Sequence, residues 1–189
     1  MVHHFEVEIR KILKKITFFW FSLKQNDDLV PYKGMKTILT TSNDVRYAGE
    51  FVLTREGNLD FGEISEEIAQ KIHRQAGKIR LRIGRQEPGK DNYGEKHIKR
   101  PDRLKELFKN GYINVCDFVQ EVASEYTAIY SGENGRLTLY KKTDRKGIAV
   151  FIILMVSTEG DFYDVKTGMI VRDSYFRNKK PLWEKSQSG

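Results

Sequence analysis

The run Ile148-Ala-Val-Phe-Ile-Ile-Leu-Met-Val156 limits the fold of this chain more than any other feature. It is about half as long as the roughly 20 residues a membrane-spanning helix needs, and it is rich in strand formers. It therefore reads as a buried strand. Residues 136–142 and 162–167 read as its neighbours, joined to it by the turns Thr143-Asp-Arg-Lys-Gly147 and Thr158-Glu-Gly-Asp161. Connections of hairpin length point to antiparallel pairing.

Helical periodicity lies upstream. Ser65 is an N-cap followed by Glu66 and Glu67, with Ile64, Ile68 and Ile72 on one face, and Gly77 stops the helix. Pro101 suits the first turn of a helix carrying Leu104, Leu107 and Phe108, which Gly111 ends. Asn114 caps the strongest helix, where Val115, Phe118, Val119, Val122, Tyr126 and Ile129 recur at helical spacing before Gly132. Between them, Lys78-Ile-Arg-Leu-Arg-Ile83 alternates strictly, so Arg80 and Arg82 share a face opposite Ile79, Leu81 and Ile83. Two short strands are expected at 35–41 and 50–55. The fold class is α+β: an antiparallel sheet of about four strands, packed on one face by two to three helices, with a small N-terminal strand pair.

Composition bounds the rest. With 39% hydrophobic, 12% aromatic and 31% charged residues, the 189-residue chain is neither disordered nor built for a membrane interior. A single cysteine, Cys116, provides no disulfide framework, so the expected location is cytoplasmic; beside an apolar helix face it reads as a packed thiol. Residues 1–34 form a basic, aromatic extension in which Ile16-Thr-Phe-Phe-Trp-Phe-Ser-Leu23 fits a helix or strand packed on the domain, a membrane-surface helix or an added segment. No integral membrane insertion is expected. A strand-strand-helix region at 35–76, a main domain at 77–185 and a tail at 186–189 complete the division.

The net charge of +7 makes polyanions the natural partners. Cations and aromatics intermingle at Arg80, Arg82, Tyr93, Lys99 and Arg100, and again at Lys166, Tyr175, Lys179, Lys180 and Trp183. That mixture suits single-stranded RNA, whose phosphates need neutralising and whose bases stack. His97 is the histidine of the main domain, and an imidazole titrates where a 2′-hydroxyl proton can be taken or a leaving 5′-oxygen protonated. No Cys/His metal spacing, phosphate-binding Gly-rich loop or Gly-x-Ser-x-Gly elbow occurs.

The order Gly62-Glu-Ile-Ser-Glu-Glu-Ile-Ala, Gly77-Lys-Ile-Arg-Leu, Tyr93-Gly-Glu-Lys-His97-Ile98, the Asp117-Phe118-Val119 helix, three strands and Lys179-Lys180-Pro-Leu-Trp183 resembles the phage-type nuclease domains grouped with barnase, EndoU, colicin tRNases and RelE. The likeness covers roughly residues 59–183. It implies a metal-independent endoribonuclease of phage or toxin type, with His97 of the Gly-x-x-His-Ile motif catalytic and Thr167, near the end of the last strand, lining the same cleft. It implies no cofactor, RNA as substrate, and a neutralising or phage protein as a further partner. Lys99-Arg100 partly matches the family's basic position after His-Ile, and Pro101 departs from it. A non-catalytic nucleic-acid-binding or phage accessory protein on the same scaffold, and a protein-interaction module using the N-terminal segment, are the alternatives.

Overall fold

A computed structural model describes residues 37–39 and 45–186, so the 1–34 extension and all but the first residue of the 186–189 tail lie outside the described residues. In chain order the elements are β1 (Thr37–Leu39), β2 (Arg46–Ala48), β3 (Phe51–Val52), β4 (Asp60–Ile64), α1 (Glu66–Ile72), β5 (Gly77–Arg80), α2 (Gly94–Ile98), α3 (Pro101–Lys109), α4 (Val115–Glu125), β6 (Ala128–Ser131), β7 (Leu137–Lys142), β8 (Ile148–Val156), β9 (Phe162–Arg172) and β10 (Trp183–Glu184). Single 3-10 turns at Glu133–Gly135 and Asp173–Phe176 interrupt the later strands.

The caps act where the sequence puts them. Ser65 Oγ accepts from the Ile68 amide at 3.3 Å, and Asn114 Oδ1 from the Asp117 amide at 2.8 Å, each satisfying a donor that the first helical turn leaves free. α1 ends earlier than Gly77 implies, because His73 adopts a left-handed conformation (φ 53°) and serves as the C-cap itself.

The main sheet has seven strands in the order β10-β6-β7-β8-β9-β5-β4, not about four. Each missed strand had a reason to hide. β4 carries Gly62, which breaks its alternation, and that glycine lies so close to the Ala123 carbonyl of α4 that a Cβ would collide with it. β10 is only two residues long. β6 was masked by Tyr126 and Ile129, which continue the helical spacing of α4 but belong beyond its end; Ile129 pairs with Leu139 of β7 instead. The sheet is also not purely antiparallel, since β5 runs parallel to β9.

β4 pairs with β5, and Phe61, Ile64, Ala69 and Ile72 join the same core as residues of the later strands and helices. The described residues belong to one compact unit beginning at Met35. The N-terminal strand pair is a three-stranded β1-β2-β3 sheet. It hooks onto the end of β5 through Val52 N–H to Leu81 O and Ile83 N–H to Glu50 O, both 2.8 Å.

β8 is the middle of the structure, and both its faces are covered. Val150, Ile152 and Leu154 point to the layer made by Phe118, Val119 and Val122 of α4. Ala149 and Phe151 point to the other face, against Tyr140 and Phe176. The four helices of the described residues serve the first face, and the 3-10 turn Asp173–Phe176 covers part of the second. Phe118 lies over Gly168 of β9, where any side chain would strike its ring. Among the described residues no helix is long and apolar enough to cross a membrane.

Candidate active site

His97 is on α2, a helix too short to be stable alone; two glycines and a buried carboxylate hold it. The loop before it closes through a bridge between Arg85 and Tyr93. Gly84 and Gly94 meet inside that closure at positive φ (65° and 77°), and a Cβ on Gly94 would stand 2.5 Å from the Arg82 carbonyl. Glu95, 2% exposed, accepts from Tyr47 Oη at 3.1 Å and from Lys99 Nζ at 2.8 Å. Amides of Glu95 and Lys96 donate to Arg82 and Ile83 at 2.9 Å, tying α2 to the end of β5.

The second part of the site is a β-bulge. Ile153 faces Thr167 and Leu154 faces Val165, which leaves Lys166 as the extra residue of β9. Val165 and Gly168 both belong to the helix-covered face, so Lys166 and Thr167 between them both leave it. Lys166 is 6% exposed and Thr167 8%, and the Lys166 ammonium pairs with Asp91 of the loop before α2.

These pieces converge electrically on His97. Burial lowers its pKa first, and the positive charges of Arg100, Lys166 and Arg103 lower it further, against a smaller opposing effect of Asp91. The ring is thus neutral at pH 7, and its Nδ1 lies 2.6 Å from Gln86 Oε1. Arg100 and Arg103 each carry a buried Nε with no hydrogen-bond partner among the described residues. Arg103 also reaches Glu106 at 3.1 Å and Met169 Sδ at 2.9 Å.

Of the residues expected from sequence, the structure thus gathers His97, Arg100 and Lys166, with Thr167 beside Lys166. Others are elsewhere or occupied. Arg82 is not on an open cationic face: it is 8% exposed, its guanidinium meets Glu50 at 2.5 Å, Glu159 at 2.9 Å and Asp164 at 2.9 Å, and it lies 4.8 Å over the Phe51 ring. Burial raises the pKa of the Asp164 carboxyl in spite of that contact. Arg80 pairs with Asp60 at 2.8 Å and covers Phe162 at 4.6 Å. The expected cationic face is therefore a paired ion cluster, buried at Arg82 and Asp164, because carboxylates from distant segments fold onto it. Lys99 is held by Glu95, and Tyr93 lies 5.8 Å from the Arg85 guanidinium.

Tyr175 is 54% exposed, stacked on Phe151, with Lys179 Nζ 4.1 Å from its ring centre. Lys180 is exposed on the tail. Trp183 packs edge-on against Tyr126 at 5.6 Å on edge strand β10, at the far side of the sheet from β9. Cys116 is a packed thiol that donates to Leu53 O, and burial pushes its pKa up to about 12.

Sequence reasoning missed Arg103, Gln86, Asp91 and Glu95. Arg103 follows His97 and Arg100 at three-residue intervals, but Arg100 is non-helical (ψ 144°), so no helical face carries all three and the spacing gave no signal. For Gln86 and Asp91, in an irregular loop, no pattern could have pointed to their partners. Among the described residues no cluster of histidine, cysteine and carboxylate side chains could hold a metal ion. No family model matches the chain, and no curated protein or solved structure matches it.

Proposed function

We propose that the chain is an endoribonuclease that cleaves RNA without a metal ion, acting in the cytoplasm. The observation that carries the reading is a half-buried His97 on a helix packed against β9, where the charges of Arg100, Lys166 and Arg103 add to burial in lowering its pKa. Nε2 of His97 takes the proton of a ribose 2′-hydroxyl, the oxygen attacks the adjacent phosphorus, and the P–O5′ bond breaks as the 5′-oxygen takes a proton from water. Arg100, Arg103 and Lys166 neutralise the charge that builds on the phosphate oxygens, where donors held ready in a partly buried site act most strongly. Thr167, next to Lys166 on the bulge, lines the same side. Cleavage should survive EDTA and disappear in His97→Ala with the fold intact; full cleavage by that variant would refute the assignment.

A second reading, nucleic-acid binding without scission, has one observation in its favour. The charges acting on His97 are three cations and a carboxylate, none a second imidazole to protonate the leaving group. Salt-dependent RNA binding by wild type, with no product at any pH, would favour it.

A further inference from the structure

On the sheet face away from the main helix layer, a cleft of about 720 Å³ opens between β6, β7, β10 and the 3-10 turn Asp173–Phe176. Its aromatic side is Tyr130, Tyr140 and Phe176, with ring centres of Tyr130 and Tyr140 at 4.7 and 4.8 Å from that of Phe176. Tyr140 and Phe176 are buried while Tyr130 is half-buried and offers surface to the cleft. Asp173 in the wall is already occupied: Tyr140 Oη donates to it, Lys142 pairs with it at 3.3 Å, and these contacts hold its carboxyl below the usual range. Arg177 and Lys185 are exposed at the rim, with Glu184 the opposing charge.

This cleft is joined to the His97 site by one row of side chains. Met169, Phe151, Tyr140 and Ala128 are directly opposite one another on β9, β8, β7 and β6, and all lie on this face. Arg103 touches Met169 at one end, exposed Tyr175 stacks on Phe151 midway with Lys179 above it, and Tyr140 borders the cleft at the other. At about 4.8 Å per strand, Met169 and Tyr140 are about 10 Å apart, a span that roughly one or two extended nucleotides cover. Aromatic rings beside uncommitted cations are what a nucleotide needs, the base stacking and the phosphate being neutralised.

We infer that the cleft binds one nucleotide of a single RNA strand, its base against Tyr130 and its phosphate at Arg177 and Lys185, while a neighbouring phosphate of that strand lies at His97. The role as a substrate subsite rests on the ribonuclease reading; binding itself does not.

The test uses the full chain and a short single-stranded RNA bearing 2′-O-methyl groups, which binds but cannot be cleaved. Affinity is measured at low salt for wild type, Tyr130→Ala, Arg177→Glu and Lys185→Glu; the last two alter exposed side chains and leave the core intact. Each variant should bind about tenfold more weakly or worse. Duplex RNA, whose bases are already stacked, and uridine monophosphate should both bind much more weakly than the strand. Unchanged affinity in the two charge reversals, no binding by wild type, or duplex binding as tight as the strand would each overturn the inference. Uridine monophosphate binding as tightly as the strand would make this a site for free nucleotides and overturn the strand path. Cleavage of the unmodified strand is assayed in parallel, so that loss of the His97 reading and loss of the cleft reading are seen separately.

Discussion

Nδ1 of His97 stands 2.6 Å from Oε1 of Gln86. An amide oxygen only accepts, so Nδ1 carries the proton and the lone pair of the neutral ring is on Nε2. Gln86 thereby fixes which nitrogen carries the proton. Gln86→Glu replaces that oxygen by an anion and should raise the His97 pKa by about one unit. An NMR titration of the His97 ring and the acid limb of the pH–rate profile should both move to higher pH; if neither moves, the contact does not hold the ring in solution.

Stability should follow the same group. Its folded pKa is below the 6.5 of a free imidazole, so the unfolded chain binds the proton more readily. The contribution of His97 is therefore complete above pH 6.5 and is lost as pH falls through the lower folded value. Thermal melts should show His97→Gln losing less Tm than wild type between neutral pH and pH 5. An identical loss in both proteins would mean that the ring is not perturbed.

Arg103 was not foreseen as a site residue, yet its charge acts on His97 and its Nε is buried without a partner. Arg103→Ala should lower kcat/KM about a hundredfold, mostly in kcat, because the charge it meets develops in the transition state. The acid limb should shift up toward 6.5 as the repelling cation is removed. Arg100→Ala should act in the same direction. Lysine should restore the pH limb but little of the rate, since it lacks the planar fork.

Arg82 governs folding. Removing it leaves Asp164, 3% exposed, with no cation, and Arg82→Ala should cost about 3–5 kcal/mol in urea unfolding. Arg82→Met combined with Asp164→Leu should recover much of that, because the penalty comes from the charge left behind. RNA affinity that falls in Arg82→Ala with stability unchanged would return Arg82 to the binding surface.

Gly94 offers the cleanest test of what positions α2. At φ 77°, with the Arg82 carbonyl 2.5 Å from where a Cβ would be, Gly94→Ala should cost about 2–3 kcal/mol and displace His97. Gly89, also at positive φ (69°) but with open space around it, is the control: Gly89→Ala should lose only the conformational part, about 1 kcal/mol, and leave cleavage intact. Equal effects of the two would mean that crowding at Gly94 does not hold the helix.

Local physics determined much of this protein before any folding was known. The apolar run of β8 had to be buried, and Ser65 and Asn114 had to start helices, because caps, turns and periodicity act over a few residues. Only the tertiary structure decided which charges are free. Arg80 and Arg82 looked open because a strand alternates, but Asp60, Glu50, Glu159 and Asp164 reach them from segments with no sequence relation to β5. Likewise Lys166, with 68 residues between it and His97, is the extra residue of a bulge in β9 that no periodicity announces. Coulomb forces act through space, so Lys166 adds to the burial that lowers the His97 pKa only once the sheet brings β9 beneath α2.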